Sequence, residues 1–170
     1  NDGEGSPLVI LRAVKDIHFI NVSRSSKFPK IDCHFNDNDK NKVDNVERII
    51  NKKSLYYPEF GEISYTHCDY QDEINKLTQS PKIKNTKNFV FIDPYGYKHI
   101  KASDLKNLLT KGNTEVLLFL PTQFMYRFDT NGTPEALVDF IAEITEYKNW
   151  KETDSVWKFI NQLKTSFRDY

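Results

Sequence analysis

The stretch Asn88-Phe89-Val90-Phe91-Ile92-Asp93-Pro94-Tyr95-Gly96-Tyr97 governs how the rest of the chain reads. Its apolar run shows no polar alternation, the pattern of a strand covered on both faces, as in a parallel sheet. The run then stops on a carboxylate, a proline, an aromatic ring and a glycine. Such an ending is either a turn of type I or II with Pro94 at its second position, or the rim of an active site. The flanking sequence has to separate the two.

Working outward, a second continuous apolar run, Glu115 to Leu120, predicts another strand that ends at Pro121. Between the two runs, Ala102 to Leu109 reads as a helix closed by Lys111-Gly112. Upstream, Ile31 to Phe35 and Ile63 to Cys68 alternate as strands do. The segment Asn41 to Asn51 places Val43, Val46, Ile49 and Ile50 at helical spacing, and a short helix is predicted over Asp72 to Leu77. Near the start, Ser6 as N-cap and Pro7 at the first position open a helix whose inner face holds Leu8, Leu11 and Val14 or Lys15. Thr133 and Pro134 open another, with Leu137, Phe140, Ile141 and Ile144 inward. A last helix, Asp154 to about Phe167, buries Val156 or Trp157 with Phe159, Ile160 and Leu163. Alternation of helix and strand throughout predicts an α/β domain with right-handed crossovers and a mostly parallel sheet.

The bulk properties narrow the class. A chain of 170 residues suits one domain with a real core. Lys plus Arg and Asp plus Glu both number 24, so no net charge steers the molecule toward nucleic acid, and only a local basic patch could serve there. Cys33 and Cys68 lie in or just after strands with no metal-type spacing, which predicts buried thiols and a reducing compartment. His18, His34, His67 and His99 share no ligand spacing either, so no metal site is expected. No apolar run approaches the roughly 18 residues of a membrane span. Together these predict a cytoplasmic protein.

In open parallel sheets, ligands bind outside the carboxyl ends of the strands. The first three strands each end close to an acid there: Asp37, Asp69 and Asp93. Each of them alone is an ordinary helix cap or turn former. Three acids on one rim repel, and a ligand offering hydroxyl or ring N–H donors would offset that repulsion. Arg127, beyond the fourth strand, suits either a phosphate or an ion pair. The opening Asn1-Asp2-Gly3-Glu4-Gly5, with no initiating Met, is read as following a first strand and its glycine turn. A clustered-acid metal phosphoesterase is the remaining alternative.

Five blocks in order, Gly5 to Leu11, His34 to Asp39, Thr66 to Ile74, Phe89 to Tyr97 and Thr114 to Phe128, resemble the three-Cys-motif partner proteins, the TcmP family. These look like class I S-adenosyl-L-methionine-dependent methyltransferases that accompany a three-cysteine-motif protein. The resemblance implies one methyltransferase-like domain over 1–170, a Rossmann-like three-layer sandwich lacking its first strand and its last strands. It implies that Asp37 accepts bonds from the cofactor ribose. Asp69 would face the adenine amino group, with Cys68 supplying a backbone N–H. Asp93, Pro94 and Tyr95 resemble the Asp-Pro-Pro-Tyr tetrapeptide of amino-group methyltransferases, with one proline fewer. There the acid and a proline carbonyl orient the amine while the ring stacks on a base, contributions of orientation and of about 1–3 kcal/mol respectively. The implied activity is methylation of an amino group of nucleic acid or protein. The alternative it leaves is a catalytically inactive partner module for the three-cysteine-motif protein.

Overall fold

A computed structural model describes residues 5–24, 27, 29–80, 85–94, 100–110, 113–120, 122, 125–127, 135–144 and 154–169. Tyr95 to His99, the Lys111-Gly112 stop, Pro121, Gln123, the Thr133-Pro134 start and the side chains of Leu137, Ile144 and Phe167 lie outside the described residues. The chain forms two compact units, Asn1–Glu73 and Ile74–Tyr170. Both are mixtures of helix and short parallel strands.

The first unit runs α1 (Ser6–Ser23), β1 (Cys33–Asn36), α2 (Lys40–Lys52), β2 (Ile63–Thr66) and the start of α3 (Tyr70–Gln79). The cap of α1 falls one residue earlier than expected. The Gly5 carbonyl accepts from the Leu8 amide at 3.0 Å, and Ser6 joins the helix as its first residue. Pro7 can sit beside it because the first turn leaves its amides unbonded in any case. Leu8, Leu11 and Val14 are the buried face. Asp39 caps α2 by accepting from the Asn41 amide at 2.9 Å.

β1 and β2 pair in parallel, Cys33 with Ile63 through Asn36 with Thr66, joined by α2, which packs on β2. Alternation sends Cys33, Phe35, Ile63 and Tyr65 to one face. There they pack with Leu8 and Leu11 of α1, Val46, Ile49 and Ile50 of α2, and Leu55. Full burial of residues such as Leu11 and Ile50 contributes roughly 1.5–3 kcal/mol each. Two contacts fix the entry to β1. Tyr56 donates its hydroxyl proton to the Ile31 carbonyl at 2.7 Å. Gly61, at φ 147°, lies against the same residue, where a Cβ would overlap the Ile31 carbonyl group.

The second unit holds β3 (Asn88–Ile92), α4 (Ala102–Leu109), β4 (Thr114–Leu118), α5 (Glu135–Ile144) and α6 (Val156–Asp169). β3 and β4 pair in parallel, Asn88 with Thr114 through Ile92 with Leu118, and α4 packs on β4 and on α5. The first turn of α4 has no capping side chain of its own, and the Glu143 carboxylate of α5 accepts from the Ala102 amide instead. Ile92, Leu105, Leu108, Phe140, Ile141, Phe159 and Leu163 are buried. Trp157, one of two candidates for burial on the last helix, is 74% exposed, and Val156 is the half-buried one.

The expectation that β3 and β4 are covered on both faces is not met within this unit. Phe89 and Leu117, on one face, are 62% and 52% exposed, and Phe119, just past β4, is 59% exposed. The strands have the composition of a doubly covered sheet and a cover on one side. The observed architecture is therefore two small parallel pairs, each with a helical crossover.

Candidate site at the carboxyl ends of β1 and β2

Parallel pairing in register brings the carboxyl ends of β1 and β2 together, and with them two of the three acids. Asp37 follows β1 directly, and its amide donates to the Thr66 carbonyl at 3.4 Å. Asp69 lies three residues past the end of β2. Each also does local work. The Asp37 carboxylate accepts from the Asp39 amide at 2.9 Å and lies 3.6 Å from the Lys42 ammonium. The Asp69 carboxylate accepts from the Gln71 amide at 2.8 Å, capping α3. A carboxylate offers about four acceptor sites, so both acids keep capacity for a ligand.

The polar face of the β1–β2 pair carries residues that sequence reasoning left out. His34 and Asn36 on β1 stand opposite Ser64 and Thr66 on β2. His34 Nδ1 lies 2.9 Å from the Ser64 hydroxyl, and Nε2 lies 2.9 Å from Glu73 Oε1 on α3. With the serine proton on Nδ1, the ring proton sits on Nε2 and donates to Glu73. Cys68 donates its thiol proton to Glu73 Oε2 at 3.0 Å. Thr66 donates to Asn36 Oδ1 at 2.9 Å. That same oxygen accepts from the Cys68 amide at 3.1 Å, while Asn36 Nδ2 donates to the Cys68 carbonyl at 3.1 Å. Each side chain in the set has at least one hydrogen-bond partner. Glu73 is 19% exposed on its side chain, so the cluster works in a partly desolvated setting where such bonds strengthen.

This network bears on Cys68. Its backbone N–H, the group expected to meet an adenine ring, is spent on Asn36. Neither cysteine is in a disulfide: Cys33 is buried, and burial pushes its thiol up, while Cys68 is half-buried. Beneath the cluster, burial also raises the Tyr65 hydroxyl to about 12, and the Tyr56 hydroxyl is raised for the same reason.

Asp93 and Pro94 follow β3 in the second unit. Asp93 is exposed, Pro94 half-buried, and no described residue hydrogen-bonds to the Asp93 side chain. Tyr95 lies outside the described residues. Met125 is fully buried, the Tyr126 ring stands edge-on to Phe159 at 5.9 Å, and Arg127 is exposed. An open groove beside the end of β4 is lined by Phe119, Leu120, Ile160, Leu163 and Lys164 among others.

Among the described residues, no three His, Cys, Asp or Glu side chains are grouped to hold a metal ion, and no helix is long and apolar enough to cross a membrane. No family model matches the chain, and neither a curated protein nor a solved structure matches it.

Proposed function

We propose that the protein is an S-adenosyl-L-methionine-dependent methyltransferase acting on an amino group of nucleic acid or protein, in the manner of the three-Cys-motif partner family it resembles. One observation carries this most directly. Asp37 and Asp69 stand at the carboxyl ends of two parallel strands in register, where open α/β sheets bind nucleosides. Asp37 would accept the ribose hydroxyls and Asp69 the adenine amino group. Asp93 and a carbonyl of Pro94 would orient the acceptor amine so that its lone pair meets the methyl group, with Tyr95 stacking on a base. When bound, the cofactor supplies the electrophilic methyl group.

The finer architecture is part of the proposal. A doubly wound sheet of order 3-2-1-4-5 contains two parallel pairs, 2 with 3 and 4 with 5. Each of the two pairs of this chain, closed by one helix, has the form of one such pair, which supports a Rossmann-like fold as part of the reading.

The test uses the full-length gene product, isotope-labelled S-adenosyl-L-methionine, and DNA, RNA and protein acceptors. Label should move to an acceptor, Asp93→Ala should lower the rate by about 100-fold or more, and Asp37→Ala should weaken cofactor binding about 10- to 100-fold, the loss of one or two charge-assisted bonds. Absence of both binding and transfer retires the proposal.

The open apolar surfaces favour a second reading, a module without catalysis that docks a three-cysteine-motif protein. Phe119 of the groove and Trp157 on α6 are largely exposed, as interface residues of a free partner are. In that case Asp93→Ala leaves the biological activity intact, and Trp157→Ala abolishes co-purification with the partner.

A further inference from the structure

We propose that Asn36 is a positioning residue for the nucleoside site, an inference that rests on the cofactor-binding function proposed above. Asn36 is the last residue of β1, and Asp37 follows it. Cys68 lies two residues past the last residue of β2, and Asp69 follows that. The two acids thus hang beside the two ends of one clamp. The Asn36 amide accepts from the Cys68 N–H and donates to the Cys68 carbonyl, both at 3.1 Å. This is the double exchange that a hydrogen-bonded pair makes in an antiparallel ladder, here made by a side chain beyond the end of a parallel one.

The orientation of that amide is set by the Cys68 backbone, whose N–H only donates and whose carbonyl only accepts. Thr66 donates to the same Oδ1 at 2.9 Å and holds it there. Thr66 in turn stands 3.1 Å from His34 Nε2 and 3.3 Å from Glu73 Oε2. The chain of bonds runs from α3 through β2 to the end of β1, and its last link sets the gap between the Asp37 and Asp69 turns. A nucleoside gripped at ribose and base by two acids is sensitive to that gap, because a small misplacement spoils both contacts at once. Asn36 then acts without touching the ligand.

The experiment measures the affinity of the full-length gene product for S-adenosylhomocysteine and for adenosine. Asn36→Ala should weaken both by the same factor, about 10-fold or more, since the clamp acts on the nucleoside they share. Thr66→Val should weaken them in the same direction by less, and Thr66→Ser, which keeps the hydroxyl, should restore wild-type affinity. Far-UV dichroism and thermal midpoint guard against simple unfolding, and Asn36→Asp, which keeps the acceptor and loses the donor, serves if the alanine variant does not fold. Unchanged affinity in Asn36→Ala, with wild type binding normally, overturns the positioning role. Should wild type bind neither ligand, the proposed function falls. Hydrogen exchange at the Cys68 amide then judges the clamp alone: a rise of about 10-fold or more in Asn36→Ala upholds it, and an unchanged rate overturns it.

Discussion

The two parallel pairs of this protein share a plan and differ in what lies on their faces. Each is two strands in register with one helix between them. In β1 and β2 alternation separates Cys33, Phe35, Ile63 and Tyr65, which pack on α1 and α2, from His34, Asn36, Ser64 and Thr66, which bond to one another and to α3. Both faces are satisfied inside one unit. In β3 and β4 seven of the ten residues are apolar, yet only one face is packed, and Phe89 and Leu117 remain open. Alternating strands record a complete environment. A solid apolar run records a demand for a second cover that its own unit does not supply.

The largest effect is expected where the first pair is built most tightly. Gly61→Ala forces a Cβ into the Ile31 carbonyl at a positive φ and should destabilise the first unit by about 3 kcal/mol or more in chemical denaturation. A loss below about 1 kcal/mol would show that the entry to β1 is looser than described. Next comes a direct comparison of the two faces. Ile63→Gln, on the packed face, should cost about 2 kcal/mol, and Leu117→Gln, on the open one, no more than about 0.5 kcal/mol. Equal costs would break the contrast between the pairs.

Smaller effects sharpen it. Tyr56→Phe deprives the Ile31 carbonyl of its donor and should cost about 1 kcal/mol. Tyr65→Phe should be neutral or slightly stabilising, since the Tyr65 hydroxyl is buried without a hydrogen-bond partner among the described residues. The same groups give a pH dependence. Cys33, Tyr56 and Tyr65 all have folded values above their ordinary ones. The folded state therefore holds its protons longer than the unfolded one, and the stability this provides is intact below about pH 9. It should fall as the pH climbs, with the Tyr65 share gone once about 12 is passed. An alkaline denaturation series on wild type and Tyr65→Phe reads this as a difference in slope.

Most of the secondary structure was legible because its signals are local. The heptad-like spacing of Val43, Val46 and Ile50 gave α2, and α4 was read to the residue from Ala102 to Leu109. The start of α1 shifted by one residue, because Gly5 and not Ser6 is its cap. The placement of Asp37 and Asp69 beyond paired parallel strands followed from alternation and turn chemistry. Asn36, Thr66 and Glu73 were missed, although the polar positions His34, Asn36, Ser64 and Thr66 already carried a period-two signal. What the sequence withheld was register: only the pairing of Asn36 with Thr66 brings these residues opposite one another, and register is a non-local property. The openness of Phe89 and Leu117 was hidden for a related reason, since composition states what a strand needs and not what covers it.

The most direct test of the central claim is a titration of the full-length gene product with S-adenosylhomocysteine, followed by backbone amide resonances. The account predicts saturable shifts at Asp37, Cys68 and Asp69, at the ends of β1 and β2. Resonances of those three amides that stay in place at saturating ligand would contradict it.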